Sequence, residues 1–257
     1  MGVLNVTPDS FYKGSRAGDV EELIPRAERM LTEGATILDI GGHSTRPGAE
    51  QVTASEEIQR VVPAIQNIIK SFPEAIISID TYRSDVAKAA LDEGALIIND
   101  ISGGQLDEKM FPLVIESKAP IILGHLKGRF ETMMTETDYS DLITEVMDYF
   151  NEKINYLKSS GVNDIVIDPG FGFSKTLEQN FQLLKNMGYF INLGMPILAG
   201  ISRKSMIYKL LGTTPDDALN GTTALNTVAL MNGASILRVH DVKEAVEVVK
   251  LFNKIYA

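Results

Sequence analysis

The chain has no cysteine. That removes disulfides, thiolate metal sites and cysteine nucleophiles, and it fits a cytoplasmic, reducing location. No apolar run approaches the roughly 18 residues of a membrane span, and no basic-then-apolar leader is present. Positive charge is in short supply: 24 Lys and Arg stand against 34 Asp and Glu, for a formal net charge of −10. This balance argues against a nucleic-acid binder, which ordinarily carries a basic face. It leaves a small anionic substrate open, because a local cluster of Arg, Lys and His outweighs a distant acidic surface. The sequence has no Ser-His-Asp arrangement, no His-rich zinc spacing, and no G-x-G-x-x-G after its first apolar stretch.

What is present is an apolar content of 44% over 257 residues, ample for a core and of a length that α/β barrels routinely use for one domain. The organising pattern is clearest in Ile165–Lys175, IVIDPGFGFSK. β-Favouring residues end in Asp168. Pro169 then forbids a helical continuation, while Gly170 and Gly172 let the chain turn and let another group approach its backbone. The arrangement recurs along the chain. Short strands are predicted at residues 1–5, 36–40, 75–79, 96–98, 120–123, 165–167, 196–199 and 235–239. Helices are predicted at 19–33, 56–71, 84–93, 107–117, 142–160, 177–187, 204–211, 218–232 and 242–252, from their apolar periodicity and glycine stops. Eight β-α units joined by helical crossovers close into a (β/α)8 TIM barrel, with a doubly wound open sheet as second choice. No linker or composition break divides the chain, so residues 1–257 read as one domain.

In such barrels the chemistry sits at the carboxyl ends of the strands. The polar residues falling there are Asn5, Asp39, Asp80, Asn99 with Asp100, His125, Asp168, Ser202 with Lys204, and Arg238 with His240. Each alone has a bland reading as a cap, a turn or a solvated charge; topology gathers them on one rim. Asp39, followed by Gly41 and Gly42, reads as the most structural of them. Carboxylates and an Asn suit a flat heterocycle with an amidine-like donor edge. Arg238, Lys204, His240 and Arg46 suit an anionic group beside it.

Seven stretches, in order and covering essentially the whole chain, resemble the dihydropteroate synthase family. They begin at Asn5 (NVTPDSF), Ser44 (STRPGA), Asp80 (DTYR), Asn99 (NDISGG), Asp168 (DPGFGF), Ser202 (SRKS) and Arg238 (RVHD). One such stretch is a weak signal; seven in register are specific. The resemblance implies a homodimeric barrel that joins 6-hydroxymethyl-7,8-dihydropterin diphosphate to 4-aminobenzoate and releases diphosphate; charge and hydropathy add that no nucleic-acid or membrane partner is expected. It also implies a pterin in the barrel mouth. Asp168 would take its 2-amino and N3 donors, with Asn99 and Asp80 completing the polar edge, Lys204 at the O4/N5 side, and Arg238 along the ring toward the diphosphate. Asn5 would hold Mg²⁺ on the diphosphate, with His240, Thr45 and Arg46 on the same anion. Phe11, Arg46, Pro47 and Ser205 would surround 4-aminobenzoate. Lys204, Arg238, His240 and Asp80 would form the catalytic set.

Three positions depart from the family pattern: Lys13 for a usual Asp, His43 for a common Glu, and Gly124 for a common Met. His43 is expected at the surface, and Gly124 is expected to remove one packing contact on the pterin. Two alternatives share part of the pattern: a methyltetrahydrofolate-type methyltransferase, and a catalytically silent pterin-binding protein.

Overall fold

Runs such as Ile76-Ile77 and Ile121-Ile122-Leu123 are apolar at both parities, which suits strands covered on both faces, as parallel sheets require. The computed structural model describes residues 1–6, 18–43, 52–129, 132, 133 and 135–256, and for 18–21 the backbone alone. Its strands are β1 Gly2–Asn5, β2 Ile37–Gly41, β3 Ile76–Asp80, β4 Ile97–Asp100, β5 Ile121–Gly124, β6 Ile165–Asp168, β7 Ile197–Ala199 and β8 Ala234–Leu237. They pair in parallel in chain order from β1 to β8. Beyond β8, the Val3 amide donates to the Val239 carbonyl and the Val239 amide to that of Met1, each at 2.9 Å. The sheet therefore closes on itself, and the fold is a (β/α)8 barrel rather than an open sheet.

The outer layer is α1 Gly18–Thr32, α2 Ala54–Ser71, α3 Ser84–Asp92, α4 Met110–Ser117, α5 Leu142–Ser159, α6 Leu177–Lys185, α7 Ser205–Leu211, α8 Leu219–Met231 and α9 Val242–Tyr256. Register sorts the side chains into two layers. Leu4, Ile40, Ile79, Ile98, Ile121 and Ile165 pair in sequence around the barrel and pack with the helices in one apolar core. The next residue of a strand points the other way, so Asn5, Gly41, Asp80 and Asn99, also paired in sequence, face the barrel's interior at its upper end.

The differences from the predicted elements are at their ends. The predicted helix at 107–117 begins only at Met110, because the Asp107 carboxylate accepts from its own Lys109 amide at 2.9 Å and from the Ser84 amide at 2.7 Å. It thereby satisfies two helix starts, its own and that of α3. The predicted helix at 177–187 ends at Lys185, and a 3-10 helix, Met187–Leu193, follows. Helix α9 runs on to Tyr256.

Helix α5 carries Phe150, one of three fully buried phenylalanines, edge-on to Phe190 at 6.3 Å and to His125 at 6.3 Å. Phe150→Ala is expected to cost roughly 3–5 kcal/mol through lost burial and the cavity left behind. Urea unfolding measures this; an unchanged midpoint would show that α5 is not part of the cooperative core.

Candidate active site

Arg238 follows β8 and reaches across the barrel interior. Its Nε donates to Asp39 Oδ2 at 2.6 Å and its Nη2 to Asp80 Oδ2 at 2.5 Å. Asp39 is fully buried and also accepts from Asn99 Nδ2, at 3.1 and 3.3 Å. Asp39 thus fixes Arg238 and Asn99 together. Burial pushes Asp80 up to about 7, with the charges of Asp39, Glu57 and Asp100 adding to it and Arg238 opposing. Burial works against the Arg238 charge as well, but Asp39 and Asp80 outweigh it and hold the guanidinium above its usual range. Gly41 makes the convergence possible: a Cβ there would lie 3.2 Å from Asn5 Oδ1 and 3.6 Å from Asp80 Oδ2.

On the far side, Asp168 Oδ1 accepts from the Gly170 amide at 2.9 Å. Gly170 has φ 76°, and a Cβ on it would meet the His125 carbonyl oxygen at 2.1 Å, so only glycine fits. Lys204 donates to the Phe171 carbonyl and lies 4.4 Å above the Phe173 ring. Burial pulls Lys204 down to about 8, with Asp168 and Asp80 opposing and Arg238 reinforcing that pull. The two sides therefore share one electrostatic pocket. A Cβ on Gly200 would be 3.8 Å from both Asp168 Oδ2 and Lys204 Nζ, which shows how closely these two groups flank it.

His240 stands at the edge of this pocket. Its amide donates to Ser202 Oγ at 3.2 Å, and its Nδ1 lies 3.1 Å from the same oxygen. Ser202 Oγ thus holds both the backbone and the ring of His240. Arg203, at φ 55°, grips Asp241 through Nε at 2.9 Å and Nη2 at 2.7 Å, joining the loops that carry Lys204 and His240. Ser205 opens α7 directly after Lys204.

A family model described as pterin binding enzyme matches residues 1–240. The dihydropteroate synthase of Synechocystis sp. is 42% identical over 259 residues, covering 100% of this chain and 89% of that protein. The chain belongs to the dihydropteroate synthase family. A solved structure of the Clostridium difficile dihydropteroate synthase, in the presence of pteroic acid, is 39% identical with TM-score 0.93, covering 99% of this chain and 95% of that one. The Xanthomonas albilineans dihydropteroate synthase, in complex with 7,8-dihydropteroate, is 34% identical with TM-score 0.89, covering 100% and 92%.

Of the residues that the dihydropteroate synthase pattern suggested, Asn5, Asp80, Asn99, Asp168, Lys204, Arg238 and His240 are all at the strands' carboxyl ends or in the loops leaving them. Phe11, Lys13, Thr45, Arg46 and Pro47 lie outside the described residues. One expectation is corrected. His43 is not at the surface: it is 7% exposed, edge-on to Tyr82 at 6.0 Å, and lines with Glu57, Asp80 and Thr81 a chamber of about 10 Å³, room for one water molecule. At Gly124 a Cβ would sit 2.4 Å from the Ile101 carbonyl oxygen, so glycine there lets the chain after β4 approach β5. Lys175 was missed altogether. Nothing in its neighbours separates it from a solvated lysine, yet it is 5% exposed and joined to His125.

Removing the cation tests the floor of the site. Arg238→Met leaves Asp39 and Asp80 without their shared counter-charge, at an expected cost of roughly 3–5 kcal/mol near pH 8. In the native protein Asp80 already sits above its ordinary 3.8, at about 7. Its protonated form therefore stabilises the fold at low pH, and that contribution is lost as pH rises toward 7. Without Arg238 the shift grows, so the stability gap between variant and parent should narrow at pH 5. A gap that is the same in urea titrations at pH 5 and pH 8 would count against it.

Proposed function

We propose that the chain is a transferase of folate biosynthesis that condenses 6-hydroxymethyl-7,8-dihydropterin diphosphate with 4-aminobenzoate, giving 7,8-dihydropteroate and diphosphate. The observation that carries this reading is the polarity of the pocket. Acceptors (Asp168, Asn99, Asp80) stand on its floor, and cations (Lys204, Arg238) stand beside them. Asn99 spends its amide nitrogen on Asp39, so its oxygen is the atom available to a ring N–H. Asp168 takes the 2-amino and N3 donors, and Lys204 donates at O4/N5. Arg238, bonded below to two carboxylates yet 20% exposed, runs along the ring to the diphosphate.

Chemistry follows from charge. As the C–O bond to diphosphate breaks, Arg238 and the His240 ring take up the charge that develops on the leaving oxygens. The electron-rich dihydropterin carries the methylene cation until the aniline nitrogen attacks and loses its proton. Among the described residues no group of three acidic or histidine side chains could hold a metal. Asn5 Oδ1, a hard oxygen close to Asp80 across Gly41, fits Mg²⁺, which favours one or two protein oxygens together with substrate phosphates and water. Mg²⁺ there would neutralise diphosphate charge. Thr45 and Arg46 complete the anion site in this reading; Phe11, Arg46, Pro47 and Ser205 complete the aminobenzoate site.

A homodimer in the cytoplasm completes the reading. Tyr189, Ile191, Leu210, Leu211 and Met231 are exposed apolar side chains on the 3-10 helix, α7 and α8. Ile191 reaches the turn after α8, where a Cβ on Gly233 would meet it at 2.6 Å, and Leu211 reaches the start of α8, where a Cβ on Gly221 would meet it at 3.2 Å. Exposed apolar side chains of this kind suit an interface. Leu211→Glu with Met231→Glu should convert a dimer to monomers in sedimentation velocity; unchanged sedimentation would move the interface elsewhere.

Diphosphate release by purified chain with Mg²⁺ should require both substrates, which a methyltransferase or a silent binder would not do. Asp168→Asn should weaken pterin binding by about tenfold or more in calorimetry, because an N–H then faces an N–H, at roughly 1–3 kcal/mol. An unchanged affinity would reduce Asp168 to a turn residue.

A further inference from the structure

The loop after β6 contains a buried lysine that the reaction above does not use. Lys175 Nζ lies 3.0 Å from His125 Nδ1, 3.1 Å from the Gly170 carbonyl oxygen and 3.1 Å from that of Phe173. An amine deep in a protein, with three polar partners, is part of a built network rather than a solvated side chain. We infer that Lys175 is a positioning residue for the pterin acceptor Asp168, acting through Gly170 and anchored by His125. This rests on the reading of Asp168 as the group that receives the ring's donors.

The linkage is short. Gly170 gives its amide to Asp168 Oδ1 at 2.9 Å and its carbonyl to Lys175 at 3.1 Å. Gly170 at φ 76° and Gly172 at φ 81° have no Cβ to hold them in place, and glycine visits φ below zero about as readily. Their conformation must be held from outside. Lys175 does so by tying together the carbonyls on either side of the Phe171-Gly172 turn. The loop in turn is built to aim Lys175 inward. Ser174 just before it has φ 53°, which costs a non-glycine residue about 1–2 kcal/mol. That conformation is kept by a partly buried two-way bond: the Lys127 amide donates to Ser174 Oγ at 3.0 Å, and Ser174 Oγ donates to the Lys127 carbonyl at 2.8 Å. The Tyr139 hydroxyl donates to the Ser174 carbonyl at 2.9 Å.

His125 is an anchor because it is itself immobile. Its amide donates to the Asp168 carbonyl at 3.0 Å, its ring is 4% exposed, and Tyr149 stands edge-on to it at 4.8 Å. The loops after β5 and β6 are thus latched through His125–Lys175 and Lys127–Ser174, and the acceptor edge inherits that rigidity.

The test uses the full chain. Lys175→Met keeps an unbranched side chain and deletes the donors. It should raise the Kd for free pterin by about tenfold and the KM for the pterin diphosphate in parallel, with the KM for 4-aminobenzoate unchanged. Wild-type pterin affinity in a folded Lys175→Met protein would overturn the inference, as would an equal loss for both substrates, which signals general loosening. If circular dichroism shows that Lys175→Met does not fold, the His125 pair decides. His125→Asn, whose amide oxygen can stand in for Nδ1, should keep pterin affinity within about threefold, and His125→Leu should lose about tenfold. Equal affinities in that pair would overturn it. Asp168→Asn, run alongside, separates the two levels: if that variant binds pterin normally, the reading of Asp168 falls; if it alone loses binding, only the role of Lys175 falls.

Discussion

One guanidinium shared by two carboxylates inside the barrel is the interaction on which the rest of the site depends. Asp39 is wholly buried and Asp80 nearly so, with 17% of its side chain exposed. Unpaired, each would cost several kcal/mol to remove from water. Arg238 serves both, and because Asp39 also binds Asn99, the contributions of β2, β3, β4 and the chain beyond β8 become one bonded unit. A cation held from below in this way has little freedom left to lose when an anion arrives above it. Under the proposed function, that is the preorganisation a leaving diphosphate would need.

The opposite wall is organised differently. Its acceptor, Asp168, stands where a strand ends and a glycine loop begins, so strand pairing stops short of holding it. What holds it is a set of side-chain and backbone contacts from the neighbouring loop: the Gly170 amide, the close approach of His125 to Gly170, and Lys175 beneath. Lys204 bridges the two walls, bonded to the Phe171 carbonyl and within the field of Asp168, Asp80 and Arg238.

Charge at the site is mixed where the chain as a whole is acidic. The chain carries −10, yet Arg238 and Lys204 stand among Asp39, Asp80 and Asp168. Burial pushes Asp80 up to about 7 and pulls Lys204 down to about 8. A low-dielectric pocket magnifies such local fields and leaves the distant surface charge screened by salt.

Much of this was determined by the sequence alone. Apolar runs at both parities define buried parallel strands, glycine and proline mark where they stop, and the polar residue at each stop must then lie on one rim. Asn5, Asp80, Asn99, Asp168, Lys204, Arg238 and His240 follow from that rule and from seven family motifs in order. What the tertiary structure decided is lateral: which rim residues touch across the barrel. Asp39 read as structural and proved to be the common partner of Asn99 and Arg238. His43 read as a surface residue and is buried beside Tyr82, Gly124 makes room for a backbone 23 residues earlier (Ile101), and Lys175 is locked to His125. The physical reason is the same each time. Periodicity along a chain encodes which face a side chain takes and where an element ends. The partner of a buried charge or a glycine is set by closure of the sheet, which brings together residues as far apart as Asp39 and Arg238 and leaves no local mark on either.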